Sequence, residues 1–163
     1  MTRKSIARLE AEIAEPSKGL AYDVFLFASR ITPLINVDLL IQKGGKTLLT
    51  WREDCYGEPG WHIPGGIVRY KETLGDRILK TALAELGAAV KYAASPLAVT
   101  EFIHPSRKDR GHSISLLYRC RLTSGPDKAR KYKSGPPKPG QWAWLGKCPE
   151  NLLPTHEVYR RYI

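Results

Sequence analysis

A chain of 163 residues, 42% apolar and 26% charged, is long enough to bury one real core and has the composition of a globular domain. The apolar run from Ala21 to Ile41 is interrupted by Asp23, Arg30 and Asp38, which excludes a membrane span, and no signal-peptide apolar region follows Met1–Ser5. The formal net charge is +10, and three cysteines (Cys55, Cys120, Cys148) without Cys-x-x-Cys spacing fit reduced thiols in a cytoplasm rather than a structural zinc site.

In chain order, residues Thr2–Glu15 read as a helix that stops before Pro16, with Ile6, Leu9 and Ile13 on one face suited to packing or dimer contact. Residues 1–19 form this leader, and 20–163 read as a single domain. Leu20–Ser29 is a second helix. Strands follow at Leu34–Gln42 and Thr47–Arg52, joined at Gly44-Gly45 as a hairpin. A short apolar strand then reaches Ile63-Pro64-Gly65-Gly66, where two glycines favour a tight turn and bring bare backbone groups close to a ligand. Thr73 and Asp76 give a capping-box signal for a helix from Leu74, and Gly87 suits its left-handed end. Ile78, Leu79, Ala82, Leu83 and Leu86 make its apolar stripe. Val90–His104 and Ser113–Leu122 read as long strands joined by a basic turn. Residues 124–140, rich in Pro, Gly and Lys, are loop, Trp142–Leu145 is a short strand, and the tail from Pro154 is helical.

The positive charge gathers at Arg107, Lys108 and Arg110 and again between Lys128 and Lys138. Both clusters read as solvated loops or as an electrostatic funnel for a diphosphate. No aromatic interleaving or DNA-binding motif accompanies them, so nucleic acid is not the expected partner.

The segment Gly60–Gly87 carries the chemistry. Thr81, Ala84 and Glu85 share one helix face, and only Glu85 is charged. Counted from Gly66, the spacing Gly, five residues, Glu72, then Lys80-Thr81, Ala84-Glu85 and Gly87-Ala88 resembles the Nudix box, with two of its four usual acidic positions replaced by Thr81 and Ala84. The resemblance implies an α/β fold: a Nudix-type α/β/α sandwich with a mixed β-sheet. Three segments are similar to the GDP-mannose mannosyl hydrolase branch of that superfamily: Thr32-Pro33-Leu34-Ile35-Asn36-Val37-Asp38, the box ending Lys80–Gly87, and Arg52 fourteen residues before Gly66. A fainter match is Gln141–Leu145.

This resemblance implies a magnesium-dependent hydrolase, with manganese as the alternative ion, acting on a nucleotide-diphosphate sugar. It releases the nucleoside diphosphate by cutting the glycosidic C–O bond. The Gly65 carbonyl and Glu85 would hold the metal, since magnesium takes oxygen ligands and keeps its waters where the protein supplies few. Arg52 would support the diphosphate charge, Lys80 reinforce it, and Asp38 face the sugar hydroxyls. Relatives in the branch imply a homodimer. The branch takes its general base, a histidine, from the loop before the last strand, but Ser134–Gly140 contains none. His104 and His112 on the preceding hairpin remain as candidates, and Gln141 is a shifted candidate for a metal-side glutamine.

Two other readings stand beside this one: an ordinary Nudix diphosphatase attacking phosphorus, and a Nudix-fold binding or regulatory module without turnover. Individual residues also have plainer roles. Glu72 suits a loop anchor as well as a catalytic carboxylate, and Arg52 suits an ion pair with Glu53 or Asp54. Lys80 suits a solvated helix face, and His62 a packed strand histidine. Trp61, Trp142 and Trp144 read as core.

Overall fold

The computed structural model describes residues 2–53 and 59–163, so Asp54 and Cys55 lie outside the described residues. Two helices, α1 (Arg3–Ala11) and α2 (Tyr22–Ile31), precede the sheet. Helix α1 ends four residues earlier than expected and buries none of its side chains; Ile6 is 45% exposed.

Strands β1 (Leu34–Lys43) and β2 (Lys46–Arg52) form the expected hairpin. Gly44 and Gly45 both take positive φ, which a side chain would resist and a two-residue turn of this hand requires. Next come β3 (Gly60–His62), β4 (Gly65–Ile67), α3 (Leu74–Leu86), β5 (Val90–Tyr92), β6 (Ala98–Ile103), β7 (His112–Leu122) and β8 (Trp142–Leu145). Strand β1 pairs parallel with β7, and the other pairings between these strands are antiparallel, so the sheet is mixed.

Alternation along β1 builds two core layers. Val37, Leu39 and Ile41 face α3 through Ile78, Ala82 and Leu86. Leu40 belongs to the second layer, with Trp51, Trp61, Leu152 and Tyr159. Helix α3 covers one face and the C-terminal segment the other, which is the expected α/β/α arrangement. Trp61 and Trp142 are core, as expected.

Four further details differ from or refine the sequence reading. Val90–His104 is two strands, because the chain breaks around Pro96, which has no N–H for a ladder. The tail Pro154–Tyr162 is helical as expected and takes the 3₁₀ form, which the sequence reading did not specify. Leu79 and Leu83 stand exposed at 46% and 66%, and their place in the buried set is taken by Thr81.

The fourth difference concerns Gly65 and Gly66, which are strand rather than tight turn: neither takes positive φ, and they pair with Asp38 and Val37. Glycine is needed there for space. A Cβ on Gly65 would sit 2.2 Å from Asp38 Oδ1, and one on Gly66 would sit 2.3 Å from Thr81 Oγ1.

Candidate active site

A cleft of about 1300 Å³ opens beside β1 and β4. Its floor holds Asp38, Arg52, His62, Gly65 and His156, and its outer wall includes Leu20, Phe25, Phe102 and His104. The volume suits a nucleotide-sized ligand rather than an ion alone.

Asp38 reaches the floor because β1 alternation turns it away from α3. It is 5% exposed, and Tyr159 donates its hydroxyl to Asp38 Oδ2 at 2.7 Å. Tyr159 also meets the Thr100 hydroxyl at 3.1 Å. Burial raises the Asp38 carboxyl to about 6, against the opposing pull of Tyr159, Ser115 and the Arg52 charge. Arg52, at the end of β2, lies central enough for its charge to act on Asp38, His62, Glu85 and His156 together.

Glu85 is not in the cleft wall but stands one side chain behind it. The Thr50 hydroxyl donates to Glu85 Oε2 at 3.1 Å and also meets His62 Nε2 at 3.2 Å, while that His62 nitrogen is 3.8 Å from Glu85 Oε2. Burial raises the Glu85 carboxyl, with Thr50, Arg52 and Arg130 opposing. His62 is held well below its ordinary value by burial first, then by His156 and Arg52. Burial and Arg52 likewise push His156 down to about 3, so both rings are neutral at physiological pH.

Glu72 has a different setting. Its side chain is 3% exposed and accepts from the Arg69 N–H at 3.0 Å, Arg77 Nε at 2.7 Å and Lys80 Nζ at 2.9 Å. Burial works upward, but Lys80, the Arg69 N–H and Arg77 outweigh it and bring Glu72 down to about 2. It anchors the loop before α3.

The structure therefore brings together Asp38, Arg52, Gly65 and His104 in the cleft, with Glu85 adjoining. It does not bring Lys80, which is 60% exposed and paired with Glu72. His112 pairs across the hairpin with Glu101 at 3.0 Å, outside the cleft. Gln141 Oε1 accepts the Lys138 N–H at 2.9 Å and closes the turn before β8. His104 meets Ser106 Oγ at 3.2 Å, and its backbone closes the β6–β7 turn.

Sequence reasoning missed His156 and Tyr159, both in the C-terminal 3₁₀ segment. Their three-residue spacing puts them on one face of a three-per-turn helix, a signal a 3.6-residue period obscures.

The NUDIX domain family model matches residues 33–145, which contain β1 through β8. The chain belongs to the Nudix family. This Nudix chain is 43% identical over 58 residues to the low-salt glycan biosynthesis protein Agl8 of Haloferax volcanii, covering 36% of this chain and 37% of that protein. It is 32% identical over 97 residues to an ADP-ribose pyrophosphatase of Methanocaldococcus jannaschii, covering 60% and 56%. The matches thus span roughly a third to a half of these relatives' lengths. The MutT Nudix hydrolase of Burkholderia pseudomallei has the same fold, with a TM-score of 0.65 at 19% identity, covering 81% of this chain and 98% of that one.

Nudix hydrolases use divalent metal ions. Among the described residues there is no group of three or more His, Cys, Asp or Glu that would hold one, so the described residues do not fit a multi-carboxylate metal cluster. A single hydrated ion does fit. The ladder between β1 and β4 uses Pro64 and Gly66, leaving the Gly65 carbonyl on the free side of its strand, and Glu85 offers a desolvated carboxylate. Where a box glutamate would stand, Thr81 is buried, its hydroxyl unpartnered among the described residues. No helix among the described residues is long and apolar enough to cross a membrane.

Proposed function

We propose that the chain hydrolyses a nucleotide-diphosphate sugar at the glycosidic C–O bond, with one magnesium ion, or manganese in its place, held by the Gly65 carbonyl and Glu85. The carrying observation is the reduced acidic face: Glu85 remains, and Thr81 and Ala84 bring no charge. Attack on phosphorus through several metals needs carboxylates this face lacks, whereas departure of a nucleoside diphosphate needs only its charge neutralised.

In this reading the Gly65 carbonyl and Glu85 would hold the ion, which when bound would supply positive charge to the leaving diphosphate. Arg52 binds the same diphosphate from the cleft floor. Asp38 faces the sugar, poised near neutrality by burial and held in one rotamer by Tyr159. The water oxygen forms the new bond at the anomeric carbon. The glycosidic pair leaves with the diphosphate, and the water proton passes to a base on the cleft wall, for which His104 is the candidate that lines it. Glu72 and Lys80 stand outside this chemistry, as do His112 and Gln141. Residues 1–19 act as a leader to one domain over 20–163, and the functional unit is a homodimer.

A second reading, P–O cleavage of a nucleoside-diphosphate derivative, is favoured by the ADP-ribose pyrophosphatase relative. Hydrolysis in ¹⁸O-water separates the two. Label recovered in the sugar supports the first reading, and label recovered in phosphate ends it.

A further inference from the structure

We propose that His156, carried on the C-terminal 3₁₀ segment, is a substrate-recognition residue whose imidazole binds an uncharged hydroxyl of the group attached to the diphosphate, in a recess shared with His62 and Asp38. The proposal rests on the nucleotide-sugar reading above and adds the side chain that reads the sugar.

His156 is 8% exposed and lines the cleft, and its Nδ1 has no hydrogen-bond partner among the described residues. His62, 3% exposed and also lining the cleft, has the same unpartnered Nδ1. A buried polar atom left unpaired is costly, so two in one recess are a standing cost that a hydroxyl-bearing ligand removes. Edge-on packing fixes the His156 ring, with centroids 5.5 Å from His62 and 5.5 Å from Tyr159.

Charge decides the ligand class. The His156 ring is uncharged, with its Nδ1 unpartnered among the described residues, so it pairs with a hydroxyl as donor or acceptor according to tautomer. A terminal phosphate would find no positive charge on the His156 imidazole and would face the Asp38 carboxyl. Arg52 supplies the adjoining cation, which places the diphosphate beside the recess rather than in it. His156 lies beyond residues 33–145, so the tail contributes this side chain to a recess whose other members, His62 and Asp38, lie within the matched domain.

The test is equilibrium binding by calorimetry in EDTA, which stops metal-dependent turnover. GDP-mannose, UDP-glucose and ADP-ribose are each compared with the parent nucleoside diphosphate. In the wild type the preferred nucleotide sugar binds about tenfold tighter than its diphosphate. His156→Phe removes that advantage and leaves diphosphate affinity within about twofold, while His156→Gln recovers part of it. Equal weakening of both ligands, weakening of neither, or a wild type with no preference for the sugar overturns the proposal. The ¹⁵N spectrum of the wild type gives a variant-free measure should His156→Phe not fold. The His156 Nδ1 resonance shifts with nucleotide sugar and not with the diphosphate, and a resonance unmoved by the sugar overturns the proposal. A protein that binds the sugar through His156 yet cleaves none with magnesium removes the hydrolase reading and leaves this one standing.

Discussion

Glu72 and Glu85 stand at the two ends of one motif in opposite surroundings. Glu72 takes hydrogen bonds from the Arg69 N–H, Arg77 and Lys80, and its carboxyl is brought down to about 2. Glu85 takes its hydrogen bond from the neutral Thr50 hydroxyl, and burial raises its carboxyl. A carboxylate already neutralised by fixed cations has little left to offer a ligand. One that is desolvated and lightly paired is stabilised by an arriving cation. Equal motif rank does not mean equal role, and Asp38, outside the motif, sides with Glu85.

The comparison breaks most readily at Glu85. Glu85→Gln is expected to lower magnesium-dependent turnover about 10²–10³-fold while leaving the melting temperature unchanged or higher, because a buried charge is removed. Turnover within threefold of wild type would place the metal elsewhere.

Asp38 sharpens it through pH. Its folded value, about 6, lies above the ordinary 3.8. Below the lower value it is protonated in both states and carries no penalty. As pH rises from about 4 to 6 the unfolded chain ionises first, stability falls, and above 6 the penalty is full, about 3 kcal/mol at most. Asp38→Asn is therefore expected to be about 1–3 kcal/mol more stable than wild type at pH 8 and equal to it at pH 4, yet slower in turnover. Urea unfolding at the two pH values checks this, and a gain that persists undiminished at pH 4 would show a cause other than ionisation.

Glu72 is expected to behave in the opposite sense. Its folded value is depressed, so its contribution is present above the ordinary 4.5 and is lost as pH falls toward about 2. Glu72→Gln should cost about 1–2 kcal/mol at pH 7, leaving the largely buried Arg77 guanidinium without its counter-charge, and should flatten the acid limb of the stability curve. Turnover should change little once the protein is folded; a loss matching that of Glu85→Gln would restore Glu72 to the chemistry.

What the sequence made legible follows how local each determinant is. The α3 cap was readable because Thr73 bonds the Asp76 N–H within one turn and Gly87 takes the left-handed end. The Gly44-Gly45 turn was readable for the same reason. Asp38 and Arg52 were found through motif spacing, and the cleft brings them together. The glycine strand β4 was not readable, because its need for glycine comes from Asp38 and Thr81, which approach only in the folded chain. Nor was His156, which reaches the cleft only when the tail folds back over the sheet face holding Trp61 and Tyr159. The break at Pro96 did have a local signal, overridden by the apolar character of the residues around it.

Lys80 gives the smallest effect and the closest test of the division between anchor and site. The family resemblance offered it to the diphosphate, but its side chain is 60% exposed, bonds Glu72 at 2.9 Å and stands outside the cleft lining. Arg77 still holds Glu72 when Lys80 is removed. Lys80→Ala should therefore cost less than about 0.5 kcal/mol, the usual worth of an exposed pair. KM for the nucleotide sugar should stay within about twofold, because no part of the diphosphate depends on this charge. Raising the salt concentration should erase even the small stability difference, since an exposed pair is screened while the buried Arg77 contact is not. A tenfold rise in KM at unchanged stability would mean that Lys80 leaves Glu72 to meet the substrate, and the anchor and the site would then share a residue.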